Sequence, residues 1–191
     1  MIWQTYIGQI AEVLAKLEAA DDTGAGLDPD AAFSMWVDLA VGLPPNGAIH
    51  LIGNGASAAM ASHFAADITK NCGFRANVFT DCALLTAMAN DYGYETAYAI
   101  ALDRYAIPGD LLVAVSSSGE SPNILNACRR ANELGITVST VSGMSAGNTL
   151  RSLGRLNFYV PAPSYGLAES SHSALLHHWT DRLEAIHKAR S

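Results

Sequence analysis

The chain has 191 residues, half of them hydrophobic and only 15% charged. That balance excludes intrinsic disorder and provides enough apolar surface for a real core. A formal charge of −7 excludes general nucleic-acid binding, which needs a basic face to neutralise phosphates. An anionic ligand would have to be held by local hydrogen-bond donors.

Residues 3–19 place Ile7, Ile10, Val13, Leu14 and Leu17 at helical spacing. The segment lacks the basic start and continuous apolar run of a signal peptide. A second helix is expected over 29–42, with Phe33, Trp36, Val37 and Ala40 on its apolar side. Asp28 and Asp30 offer capping oxygens near its start, and Gly42 before Pro44-Pro45 ends it.

After Gly47 the pattern changes to short apolar runs alternating with helices. AIHLIG (48–53), ANVFT (76–80), LLVAVS (111–116), TVSTVS (137–142) and NFYV (157–160) read as strands. Helices are expected near 57–70, 83–90, 94–105, 121–134 and 145–153, with a last one over about 168–189. The expectation is a single domain over 1–191, with a helical extension (1–45) and an α/β core (46–191). The core is a five-stranded parallel sheet covered by helices on both faces. No apolar run reaches the roughly 18 residues that span a membrane. Cys72, Cys82 and Cys128 lack Cys-x-x-Cys spacing, so free thiols in the cytoplasm are expected.

Ligands of open parallel sheets bind at the carboxyl ends of strands, where helix N-termini present free N–H groups. Three loops lie there. GNGAS (53–57) has Gly53 and Gly55 for close backbone approach, and Ser57 as a helix cap or phosphate donor. With Ala58 it also matches G-x-G-x-x-A, and Asp81 ends the next strand where a ribose-binding acid would sit. SSSGES (116–121) brings Ser116, Ser117, Ser118 and Ser121 to a helix start. Hydroxyls and backbone N–H groups can hold a phosphate without lysine, although a helix cap with surplus solvated serines has the same sequence. ANDYGYE (89–95) carries Asn90, Asp91 and Glu95, which suit a polyol or simply a turn.

His63 and Asp67, spaced i,i+4, share a helix face and suit a metal ion or an acid/base pair. The last helix contains Glu169, His172, His177 and His178. Adjacent residues on a helix point about 100° apart, so at most one of His177 and His178 faces a given site.

GNGASAAMASHFAAD, LLTAMANDYGYE, PGDLLVAVSSSGESPNIL and AESSHSALLHH together resemble the sugar isomerase (SIS) domain, and within it the phosphoheptose isomerases. The resemblance implies a three-layer flavodoxin-like fold, a homotetramer with active sites between subunits, and a phosphorylated sugar rather than a nucleotide as ligand. Substrate binding would fall to Asn54, Gly55, Ser57, Asp91, Ser116, Ser117, Ser118, Ser121 and Glu169. Proton transfer would fall to Asp67 and His177. A divalent metal, zinc in some members, would be held by His63, Asp67, Glu169 and His177. Asp67 stands where the family has glutamate, and Glu169 where it has glutamine. The family's acid just before that glutamine has no counterpart in Tyr165-Gly166-Leu167-Ala168. The implied reaction is aldose–ketose isomerisation of sedoheptulose 7-phosphate. The alternative is a non-catalytic relative that binds sugar phosphates or regulates, as the replication-initiator-associated SIS proteins do.

Overall fold

A computed structural model describes residues 2–190. Helix α1 (Trp3–Ala15) is followed by a hairpin of β1 (Glu18–Asp21) and β2 (Gly26–Leu27), then by α2 (Pro29–Val41). The alternating part runs β3 (Ile49–Ile52), α3 (Ala56–Asn71), β4 (Ala76–Val78), α4 (Cys82–Tyr92), α5 (Ala97–Tyr105), β5 (Leu111–Ser116) and α6 (Pro122–Glu133). It ends with β6 (Thr137–Gly143), β7 (Leu156–Val160) and the long α7 (Tyr165–Arg190). Two 3₁₀ turns, Tyr94–Thr96 and Thr149–Ser152, stand where the sequence suggested the start of one helix and the whole of another.

All five expected strands form, parallel to one another, in the order β7-β6-β5-β3-β4. This is the flavodoxin order, and it places a topological switch between β3 and β5. Every residue of β3, β5 and β7 is buried, as expected of strands covered on both faces.

The sheet nevertheless has seven strands, not five. The helical stripe of 3–19 stops at Ala15, and Glu18–Asp21 pairs antiparallel with the outer edge of β7. That pairing satisfies backbone groups an edge strand would otherwise expose. The hairpin turn is closed by Asp21, whose carboxylate accepts from Thr23 N (2.9 Å), Thr23 Oγ1 (2.6 Å) and Ala25 N (3.0 Å). Helical spacing of Leu14 and Leu17 could not reveal this. Both side chains pack on the same core whichever backbone carries them.

One face of the sheet packs against α1, α2, α3 and α7, the other against α4, α5 and α6. On the first face Trp36 and Trp179 stack at 4.3 Å with rings only 7° apart, and Phe158 of β7 lies 4.8 Å from Trp36. Large rings of this kind dominate core energetics, and they lock α7 onto the sheet. No helix among the described residues is long and apolar enough to cross a membrane.

Below the sheet, at the amino ends of β3 and β5, a polar clasp is buried. His50 Nε2 lies 2.8 Å from Asp110 Oδ2, and the two side chains are almost wholly inaccessible. Asp110 also accepts from the Ala48 and Ile107 amides at 2.8 and 2.9 Å. The carboxylate therefore ties two backbone segments, 48–50 and 107–110, together at the end opposite the serine loops.

Candidate active site

At the carboxyl ends of β3 and β5 the chain turns sharply into α3 and α6. Gly53 is required there. A Cβ on it would lie 2.5–2.7 Å from Ser57 atoms, so any side chain would push the first turn of α3 off the strand. The two loops enclose a cavity of about 300 Å³. Asn54, Gly55 and Ser57 form one wall and Ser116, Ser117, Ser118 and Ser121 the other, with Tyr165 and Glu169 of α7 above.

No lysine or arginine lines this cavity; its polar groups are hydroxyls, amides and one carboxylate. Ser121 precedes α6 but makes no side-chain capping bond, so its hydroxyl is not consumed by the helix. Ser117 is buried, and its Oγ has no partner among the described residues. A buried hydroxyl without a partner is costly unless a ligand or water satisfies it.

Asn54 is held by two residues that sequence reasoning missed. Its Oδ1 accepts from Asn123 Nδ2 (2.9 Å) and from Tyr94 OH (2.7 Å), while its Nδ2 donates to Asn123 Oδ1 (2.9 Å). Both lone pairs of Oδ1 are thus used, and one N–H of the amide is left for the cavity. Tyr94 belongs to ANDYGYE, so that loop does reach the site, through its second tyrosine. Asp91, the residue expected from that loop, is exposed, accepts from Asn90 Nδ2 at 2.8 Å, and is not among the cavity-lining residues. Only its neighbourhood in sequence pointed to Tyr94, and nothing pointed to Asn123.

Further along α3, His63 Nε2 lies 3.3 Å from Asp67 Oδ2. His177 of α7 faces them, its ring 5.6 Å from that of His63 and edge-on to Phe64 at 4.7 Å. One donor atom from each of His63, Asp67 and His177 falls within 4.8 Å of the others. His178 turns the other way and packs edge-on against Phe33 at 4.6 Å. Glu169 does not join this group. It precedes His177 by eight residues, about 12 Å of helix rise, and lines the serine cavity instead.

Behind the site, one turn after Glu169, His172 is fully buried. Its Nε2 would be 3.4 Å from a Cβ on Gly143, whose N–H donates to Ser117 O. Burial pulls its pKa down from 6.5 to about 4, with the Ser142 carbonyl opposing the shift. The unfolded chain therefore binds this proton first as pH falls. Stability from a neutral His172 is complete above about pH 6.5 and is lost towards pH 4, on the order of 3 kcal/mol in all. Urea midpoints at pH 7.5 and 5 should differ less in His172→Asn than in the parent. An equal pH dependence would refute this assignment.

Residues 30–143 match the SIS domain family. The phosphoheptose isomerase of Mycobacterium tuberculosis (strain ATCC 25177 / H37Ra) is 36% identical over 161 residues, covering 81% of this chain and 82% of the relative. That of Helicobacter pylori (strain Shi470) is 32% identical over 91% of this chain and 92% of its own. Among solved structures, the phosphoheptose isomerase of Neisseria gonorrhoeae superposes with a TM-score of 0.80 at 26% identity, over 94% of this chain and 96% of that one. The fold is shared equally with the Francisella tularensis phosphoheptose isomerase (TM-score 0.81, 22% identity, 95% and 96% coverage). A likeness that covers more than nine-tenths of both chains in the Helicobacter pylori relative and in the two solved structures is one of whole chains, and by it this protein belongs to the phosphoheptose isomerase family of SIS-domain proteins.

Proposed function

We propose that the protein isomerises sedoheptulose 7-phosphate to D-glycero-D-manno-heptose 7-phosphate. The observation that carries the reading is that one helix serves both ends of such a substrate. Ser57, in the first turn of α3, lines the hydroxyl pocket, and His63 follows six residues on, about 9 Å of helix rise. Side chains on a helix lean towards its N-terminus, so His63 and Asp67 lean back towards the pocket. A long sugar chain with its phosphate among the serines would extend its carbonyl end towards them.

Aldose–ketose isomerisation moves a proton between C1 and C2 through an enediol. One group must remove the carbon-bound proton while another protonates the neighbouring oxygen. Asp67 is the base in this reading and His177 the acid/base partner on the opposite helix. An aspartate is one methylene shorter than the family's glutamate, and misplacement on that scale matters to proton transfer. The 3.3 Å contact with His63 supports the role, because it restrains the carboxylate. The alcohols and amides of Asn54, Ser57, Ser116, Ser117, Ser118 and Ser121 would hold the phosphate. The Gly55 backbone lines the same pocket, and Glu169 would take sugar hydroxyls.

Two imidazoles and one carboxylate also make a donor set that suits a divalent ion such as zinc. His63, Asp67 and His177 would be its ligands, without Glu169. A metal there would polarise the substrate carbonyl as a Lewis acid. His63→Ala is expected to weaken zinc binding at least about tenfold, measured as bound metal after dialysis. Unchanged metal in the variant, or none in the parent, would reject the three-ligand site.

A homotetramer with active sites between subunits completes the proposal. It is supported by the openness of the group, with the His63 side chain 54% exposed, and by exposed Ile2 and Trp3 on the N-terminal helix region. The decisive experiment is an assay of sedoheptulose 7-phosphate turnover. Absence of turnover both with and without added zinc would overturn the isomerase reading.

A further inference from the structure

Glu120 is out of place in a loop built for an anion. It sits between Ser118 and Ser121, yet a carboxylate beside a phosphate repels it. The structure shows where that charge goes. Glu120 is absent from the cavity wall. Its Oε1 accepts from the Thr149 amide at 2.6 Å and its Oε2 from Thr149 Oγ1 at 2.9 Å.

The segment that carries Thr149 lies across the back of the serine loop and interlocks with it. Leu150 N donates to Gly119 O at 3.1 Å. Gly119 has φ +66°, and a Cβ there would overlap the Asn148 side-chain amide, so the loop accepts only glycine at this point. Asn148, itself 4% exposed, donates to Ser145 O at 2.8 Å and to Gly143 O and Ser142 Oγ at 3.3 Å. Arg151 anchors the far end through Ala146 O (2.6 Å) and the Glu18 carboxylate (2.7 Å) of the edge hairpin. The strap is therefore fixed to the sheet independently of the serine loop.

We propose that Thr149 is a positioning residue for phosphate binding: it holds the Glu120 carboxylate outside the pocket and keeps the Ser116–Ser121 donors facing inward. The proposal rests on the reading of this pocket as the sugar-phosphate site. A strap that only stiffened the loop would act whatever the charge at residue 120. A strap that restrains a repelling charge should lose its effect once that charge is removed.

The test titrates inorganic phosphate calorimetrically into the parent, Thr149→Val, Thr149→Ser, Glu120→Gln, the Thr149→Val/Glu120→Gln double variant and Ser117→Ala. The same proteins are assayed for KM and kcat with sedoheptulose 7-phosphate. Losing a charge-assisted hydrogen bond should weaken phosphate binding about five- to tenfold in Thr149→Val. KM should rise in parallel while kcat stays within about twofold, as removal of uniform binding requires. Thr149→Ser retains the hydroxyl and should match the parent. In the Glu120→Gln background, Thr149→Val should cost less than about twofold, a non-additivity expected of directly coupled residues. Parent-like affinity in Thr149→Val, an equal cost in both backgrounds, or a fall in kcat with unchanged KM would each overturn the clasp. If the parent takes up no phosphate, or Ser117→Ala binds as well as the parent, the pocket assignment itself fails and the clasp with it.

Discussion

Asp67→Asn is expected to lower kcat for sedoheptulose 7-phosphate by about 10²- to 10⁴-fold, the range attributed to a positioned general acid or base. Asparagine preserves the size of the side chain and can still contact His63, so α3 and its packing should be undisturbed. What it removes is the ability to accept a proton from carbon. KM should change little, because the phosphate is held at the other end of α3. Asp67→Glu restores a carboxylate and should exceed the asparagine variant by at least about tenfold. Metal content must be measured alongside, since the same carboxylate belongs to the His63–Asp67–His177 group. If excess zinc restored Asp67→Asn to parental turnover, Asp67 would be a ligand only and the base would lie elsewhere. Parental turnover without any addition would remove Asp67 from the mechanism altogether.

The largest expected loss of stability comes from the opposite end of the sheet. Asp110→Ala should cost about 3–5 kcal/mol, as does removing one member of a buried charge-bearing pair. Alanine leaves the Ala48 and Ile107 amides and His50 Nε2 without the acceptor they now share. The His50 ring has nowhere to turn, since it is stacked on Phe79 at 5.6 Å within a wholly buried setting. Asp110→Asn keeps one carbonyl oxygen and should lose clearly less. Urea unfolding of the three proteins at neutral pH checks the ranking. A parental midpoint for the alanine variant would mean that water replaces the carboxylate and that the clasp contributes nothing.

The two effects are not equally visible before folding. Asp67 is conspicuous in the sequence because His63 lies four residues earlier, and on a helix that spacing guarantees a shared face. Asp110 gave no such signal. Two of its three partners, His50 and Ala48, are 60 and 62 residues away, and PGDLL reads as an ordinary turn before a strand. The hairpin over residues 18–27 was hidden for a related reason. Its strands are short and gain stability from the β7 edge, so local periodicity could not distinguish them from the end of α1.

The site divides along the same line. Apolar runs ending in glycine and serine were enough to establish a parallel sheet and two hydroxyl-bearing loops, because strand burial and helix starts are local properties of the chain. Helical spacing likewise paired His63 with Asp67. Which of His177 and His178 would face them could not be read locally, since it depends on the rotation of α7 about its own axis. The Trp36–Trp179 stack and the Phe33–His178 contact set that rotation. The same packing places Glu169 over the serine cavity, two turns away from the imidazoles. Tyr94 and Asn123 meet at Asn54 only because the α4–α5 turn and α6 are brought to the ends of β3 and β5. Contacts between residues tens of positions apart are decided by how layers pack, and that information is absent from any single stretch of the chain.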